Sequence, residues 1–102
     1  MANNMYNNKY EFEWDDNKNI ENIRKHDISF HEAQEAFYDA KGLVYADEKH
    51  SNGEKRYVCV GCAGKRIITV RFTLRGTRIR IFGAGYWRKG RKQYGRLDRS
   101  GS

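Results

Sequence analysis

The chain has 102 residues, a formal net charge of +7 and no proline. That length suits a single domain with one modest core and excludes a large multi-domain enzyme. Hydrophobic residues make up 38% and charged residues 32%, yet aromatics reach 14%, which argues against an intrinsically disordered chain. No apolar run approaches the roughly 20 residues that span a bilayer. The opening residues lack the apolar stretch of a secretory signal, so a cytoplasmic setting is expected, with Cys59 and Cys62 as reduced thiols.

In chain order, residues 1–9 are Asn-rich, without periodicity, and are expected to form a flexible arm; residues 10–97 form the single domain. Tyr10, Phe12 and Trp14 alternate with Glu11 and Glu13 as in a short half-buried strand. Asp15 or Asp16 then offers an N-cap to a helix ending near His26. Ser29 and Glu32 fit a capping box, and Phe30, Ala33, Ala36 and Phe37 make the apolar stripe of a second helix running to about Tyr38. Four strands follow: Leu43 to Tyr45, Arg56 to Gly61, residues 65–74, and a segment from Arg78 to Gly83. Their short links favour an antiparallel meander. A basic segment from Trp87 to about Leu97 suits a short terminal helix, and residues 98–102 a disordered tail. The expected fold is α+β: a twisted antiparallel sheet with two N-terminal helices on one face.

Charge divides this pattern. Residues 1–54 hold 6 Lys/Arg against 12 Asp/Glu, and residues 55–102 hold 14 Lys/Arg against one Asp. A half this basic suits a polyanion, and nucleic acid is the commonest one. The sheet face without helices would carry Thr69, Arg71, Thr73, Arg78 and Arg80. Basic residues rimmed by aromatics suit RNA, which offers phosphates, 2′-hydroxyls and stackable bases. Arg88, Lys89, Arg91 and Tyr94 in the basic ending can track phosphates and stack bases, or dock an ordinary helix.

The densest chemistry lies in residues 47–57. Asp47, His50, Glu54, Lys55, Arg56 and Tyr57 bring acid, imidazole, cation and phenol together. RNA cleavage without metal needs a base for the 2′-hydroxyl, a cation for the phosphorane and an acid for the leaving oxygen. A solvated turn has the same composition. His26 follows Lys25 at a helix end, where a cation also meets the helix dipole favourably. Cys59 and Cys62 form a lone C-x-x-C with no second pair, so no metal site and no cofactor are expected, although His50 leaves a zinc reading open.

These motifs together resemble the BrnT family of toxins. Phe12-Glu13-Trp14-Asp15 with Lys18 and Asn22 is similar to the family's opening, and Lys25 to Phe30 with Ala33, Ala36 and Phe37 to its Lys-His-Gly-Val-Ser-Phe segment. Asp47, His50, Gly53-Glu54 and Arg56 fit its Asp-x-x-His-x-x-Gly-Glu-x-Arg loop, and Arg78 to Ile81, Arg91 and Tyr94 its late strand and basic ending. The resemblance implies a RelE-like fold and a ribonuclease toxin of a type II toxin–antitoxin module. It implies a BrnA-like ribbon-helix-helix antitoxin as partner and promoter DNA as a target of the complex. On this basis His26, His50, Glu54, Arg56 and Arg80 are expected to be catalytic. Lys25, Asp47, Lys55, Tyr57, Arg71, Arg78, Arg88, Lys89, Arg91 and Tyr94 are expected to bind RNA. The chain departs from the family pattern at Asp27, where Gly is usual, and at Gly83, Gly85 and Gly90, where Ser, Arg and Glu are usual. A binding module without catalysis is the alternative those glycines raise.

Overall fold

The alternation of residues 11–14 becomes β1 (Glu11–Trp14) in the computed structural model, which describes residues 10–101, with side chains to residue 95. The expected arm, 1–9, and Ser102 lie outside the described residues. After β1 comes α1 (Asp16–His26), whose N-cap Asp15 accepts the Lys18 N–H at 3.0 Å. It stops at Asp27, which takes the left-handed conformation (φ 59°, ψ 38°) and donates its N–H to the Ile23 carbonyl. An Asp thus fills a position that glycine usually supplies.

A capping box opens α2 (Phe30–Ala33). Ser29 Oγ accepts the Glu32 N–H at 3.0 Å, and Glu32 Oε1 accepts the Ser29 N–H at 2.9 Å. Only this first turn is α-helical; the segment continues as a 3₁₀ turn, Gln34–Tyr38. That turn presses its backbone onto the sheet. A Cβ on Gly61 would lie 2.3 Å from the Ala36 carbonyl oxygen, so helix and strand meet where a side chain has no room.

The meander is β2 (Leu43–Ala46), β3 (Arg56–Ala63), β4 (Arg66–Arg75) and β5 (Arg78–Gly85), each antiparallel to the next. The sheet order is β1-β5-β4-β3-β2. Here the expectation of an antiparallel sheet needs correction, because β1 runs parallel to β5 and the sheet is mixed. Tight turns set the antiparallel pairs locally. The β1 pairing is instead set by the helices, which carry the chain across one face from the β1 edge to the β2 edge.

Between the sheet and these helices lies the core. Cys59, Ile68, Val70, Phe72, Ile79, Ile81 and Ala84 meet Ile28, Phe30, Ala33 and Ala36 there. Phe12 and Phe37 (centroids 5.2 Å apart) and Phe37 and Phe72 (5.0 Å) pack edge to face and close it beside β1. Cys59 is enclosed there with its thiol directed at the Ala36 carbonyl, 3.7 Å away; burial, reinforced by the Asp39 charge, pushes its pKa up to about 12. Cys62, three residues on, belongs to the opposite face.

Asn22 is the buried polar link. Its Nδ2 donates to the carbonyls of Ile28 (3.0 Å) and Ala84 (2.9 Å), and its Oδ1 accepts the Ala84 N–H at 3.2 Å. The β1 ladder ends at Trp14 opposite Ile81, so Ala84 has no strand on that side, and the Asn22 carboxamide takes a strand's place.

The other sheet face receives α3 (Arg88–Gly101), 14 residues that continue past the expected end near Leu97. Gly90 rests on Thr69 and Val60, Tyr45 Oη donates to Gln93 Oε1 at 3.0 Å, and Tyr94 Oη donates to Asp39 Oδ2 at 2.6 Å. Burial alone would raise the Asp39 carboxyl, but this bond and the N–H groups of Lys41 and Cys62 hold it below its usual value. The helix covers one end of the face and leaves the other open.

Replacing Asn22 by Ala should lower unfolding free energy by about 3 kcal/mol in urea titrations, because both Ala84 groups lose their partner inside the protein. In the native protein at pH 8, Cys59 should resist a thiol reagent that labels Cys62, and should become reactive on denaturation.

Candidate active site

The uncovered part of the sheet carries the candidate site. Paired residues of neighbouring strands share a face, so Arg56 and Val58 of β3 stand beside Thr73 and Arg71 of β4, and Thr73 stands beside Arg80 of β5. A register shift beside Arg71 and Phe72 leaves Phe82 as the extra residue of a bulge. The Arg56 guanidinium lies over the Phe82 ring, 4.5 Å from its centroid, while its Nε is buried without a hydrogen-bond partner.

After β2 the loop is tied down by its own polar groups. Asp47 N–H donates to the Arg56 carbonyl at 2.8 Å, extending the β2–β3 ladder by one bond. Ser51 Oγ donates to the Asp47 carbonyl at 2.7 Å and accepts the Arg56 N–H at 2.9 Å. A short 3₁₀ turn, Glu48–His50, then brings the imidazole back over the aspartate. His50 Nδ1 lies 2.9 Å from Asp47 Oδ2, with the His50 side chain 60% exposed and that of Asp47 19% exposed. A carboxylate accepts the Nδ1–H and leaves Nε2 with its lone pair toward solvent.

This pair stands at a cavity of about 350 Å³, lined also by Lys49, Thr69, Arg71, Trp87, Lys89 and Gly90. Arg71 reaches into it with its guanidinium over the Trp87 indole, 4.6 Å from the ring centroid. Gly85 makes room for that indole, since a Cβ there would lie 2.8 Å from two of its carbons. Three of the sequence-predicted residues behind Asp47 therefore converge here: His50, Arg71 and Lys89.

Others are deployed elsewhere. Glu54 pairs with Arg75 at 3.0 Å at the far end of the β3–β4 hairpin. Tyr57 faces the helices and stacks on Phe72, 5.4 Å between centroids. Lys25 pairs with Glu21 at 3.6 Å on exposed helix surface, and Tyr94 anchors α3 to Asp39. His26 packs edge-on against Trp87 at 5.3 Å, so it reaches the cavity only through that indole. Lys55, Arg88 and Arg91 are exposed around the site. Arg78 and Arg80 are on the open face but engaged by β1. Arg80 donates to Glu13 at 2.8 Å, and Arg78 lies 3.4 Å from Glu13 and 3.9 Å from Glu11. The hydrogen bond from Arg80 holds the Glu13 carboxyl below its ordinary 4.5, and Arg78 adds to this.

Sequence reasoning passed over Tyr45 and Lys49, and it placed Thr69 on the open face and Trp87 and Gly90 in the basic ending without naming them as site residues. The alternation of β4 put Thr69 on the correct face, but only the packing of α3 brings it to the cavity wall. Cys59 and Cys62 face opposite ways, and among the described residues no three His, Cys, Asp or Glu side chains gather as a metal-binding group.

A family model for the ribonuclease toxin BrnT of type II toxin–antitoxin systems matches residues 14–90. The chain belongs to the BrnT family. That membership makes RNA the substrate class and an antitoxin the partner class. No curated protein matches the chain significantly. The α+β architecture agrees with the BrnT assignment, and the match runs from the last residue of β1 to the start of α3. No described helix is long and apolar enough to cross a membrane.

Because Glu13 has a depressed carboxyl in the folded state, its contribution to stability is fully present above about pH 4.5 and is lost as the pH falls through the lowered value. Urea midpoints at pH 7 and pH 3.5 should therefore converge more closely in Glu13→Gln than in the parent protein.

Proposed function

We infer that this BrnT-family chain is an endoribonuclease that cuts by metal-independent acid–base chemistry, with His50 as its proton-transfer group. The observation that carries the reading is the Asp47–His50 pair at the edge of a cationic cavity. Asp47 fixes the imidazole so that Nε2 can take the 2′-hydroxyl proton of a bound nucleotide. The 2′-oxygen attacks the adjacent phosphorus, the bond to the 5′-oxygen breaks, and that oxygen takes a proton from solvent water, while the His50 imidazolium returns the proton it accepted to solvent. The products are a 2′,3′-cyclic phosphate and a 5′-hydroxyl. Arg56 holds the phosphate as negative charge builds, and its position over Phe82 limits the freedom lost on binding.

Arg80 and Arg78 serve the substrate only after exchanging β1 carboxylates for phosphate oxygens, so they act in RNA capture. His26 supports Trp87 and thereby Arg71. In the cytoplasm the toxin would slow growth by cutting RNA needed for translation. A BrnA-like ribbon-helix-helix antitoxin would neutralise it by covering the cationic face, and the complex would bind promoter DNA. Salt should weaken the toxin–antitoxin contact if charge complementarity drives it.

A binding-only reading draws on Gly83, Gly85 and Gly90, which stand where the family pattern has a hydroxyl, a guanidinium and a carboxylate. One assay separates the two. Purified protein is incubated with end-labelled single-stranded RNA in EDTA, and the ends are mapped. Cleavage to 2′,3′-cyclic phosphate is expected, with His50→Ala slower by about 10²- to 10⁴-fold. Arg56→Ala should abolish growth inhibition while keeping the native circular dichroism spectrum. RNA that is bound but never cut would select the binding-only reading.

A further inference from the structure

At the buried end of the cavity, hydrogen-bond donors converge with no acceptor to meet them. Thr69 is only 8% exposed, and its Oγ1 has no hydrogen-bond partner. Above it begins α3, a helix of 14 residues, where the Arg91 N–H donates to the Trp87 carbonyl at 3.2 Å. The N–H groups of Arg88, Lys89 and Gly90 precede that bond and so lack an intrahelical acceptor. Gly90 itself is seated directly on Thr69, since a Cβ there would fall 2.0 Å from Oγ1. The Arg71 guanidinium, held over Trp87, and the Lys49 and Lys89 side chains add positive charge to the same walls. The one carboxylate lining the cavity, Asp47, is committed to His50.

An unpartnered hydroxyl, first-turn amides without an intrahelical acceptor and cations gathered at one end of the cavity form a set that suits an anion. We propose that this end of the cavity is a second phosphate subsite, which grips a backbone phosphate of the RNA other than the one being cut. The proposal rests on the ribonuclease reading for its substrate, but not for its anion chemistry. Thr69 pairs with Val60, four residues along β3 from Arg56, to whose carbonyl Asp47 is bonded. Four residues of strand span about 13 Å, too far for a single phosphate to bridge Thr69 and Arg56. The subsite would therefore fix the register of the strand while a different phosphate lies at Arg56.

The test titrates the full-length protein with inorganic phosphate and follows amide resonances, using sodium chloride at matched ionic strength as control. Lys89 and Gly90 amides should shift with phosphate and not with chloride. Thr69→Val keeps the side-chain shape and removes the hydroxyl, and should weaken phosphate binding about tenfold; Arg71→Gln should do the same. In RNA cleavage both variants should raise KM with little change in kcat. Absence of phosphate-specific shifts, or equal shifts in parent and both variants, overturns the subsite. Shifts in a protein that cuts no RNA would keep the subsite and overturn the ribonuclease reading. Unaltered KM in both variants of an active enzyme would do the reverse.

Discussion

One carboxamide decides how the two faces of this sheet relate. β1 covers only part of the β5 edge, and beyond Ile81 that edge would present unpaired backbone to the protein interior. Asn22 answers with one acceptor and a shared donor, as a neighbouring peptide group would, and its donor also binds the Ile28 carbonyl. Three segments are thereby locked together: the middle of α1, the turn into α2, and the end of β5. The end of β5 matters most for function, because Gly85, Tyr86 and Trp87 leave from it and α3 starts there. The orientation of the cavity wall thus traces back to a polar group buried on the other face.

The open face carries less free positive charge than its composition suggests. β1 brings Glu11 and Glu13 beside Arg78 and Arg80, and Arg75 turns to Glu54. What remains are guanidiniums held by aromatic rings: Arg56 over Phe82 and Arg71 over Trp87. Pairing with a ring restrains a cation without neutralising it, whereas pairing with a carboxylate does both. The sheet therefore separates cations that an anion can engage directly from cations that must first give up a carboxylate. The pairs made by Arg75 and Arg78 are largely exposed and hold only weakly, whereas Arg80 must leave a part-buried bond of 2.8 Å to Glu13 before it can meet a phosphate.

Several local signals were legible in the sequence. Asp15, one of two offered caps, closes the start of α1, Ser29 and Glu32 form the capping box, and the alternation of β4 assigns Thr69, Arg71 and Thr73 to one face. The loop 47–57 stood out by composition, but the meeting of Asp47 with His50 depends on the 3₁₀ turn between them. What escaped depends on contacts between distant segments. Nothing in residues 10–14 says that the strand lies parallel to β5, so the neutralisation of Arg78 and Arg80 was hidden. Tyr57 sits next to Arg56 in sequence and on the opposite face in space, a consequence of the two-residue period that decides a side chain's face. Glu54 looked catalytic because it falls within the motif, but the hairpin directs it to Arg75. Gly90 could be read as an absent side chain or as room for close backbone approach, but nothing in the sequence says that the approach is of α3 onto Thr69.

Glycines at the cavity serve it in a second way. At Gly85 a side chain would collide with the Trp87 indole, and at Gly83 a Cβ would make ordinary contact with the Arg71 stem, 3.8 Å away. Gly85 thus makes the room in which Trp87 folds back, and Arg71 crosses from the neighbouring strand to rest on the indole. A guanidinium carried on β5 itself would need no such support, but would be free to swing. One carried on β4 and laid over an indole has most of its rotamers removed before any ligand arrives, so less entropy is lost when a phosphate binds. The absent side chain at Gly85, which appears as a loss along the chain, is in three dimensions the condition for an arginine to be held ready from the adjacent strand.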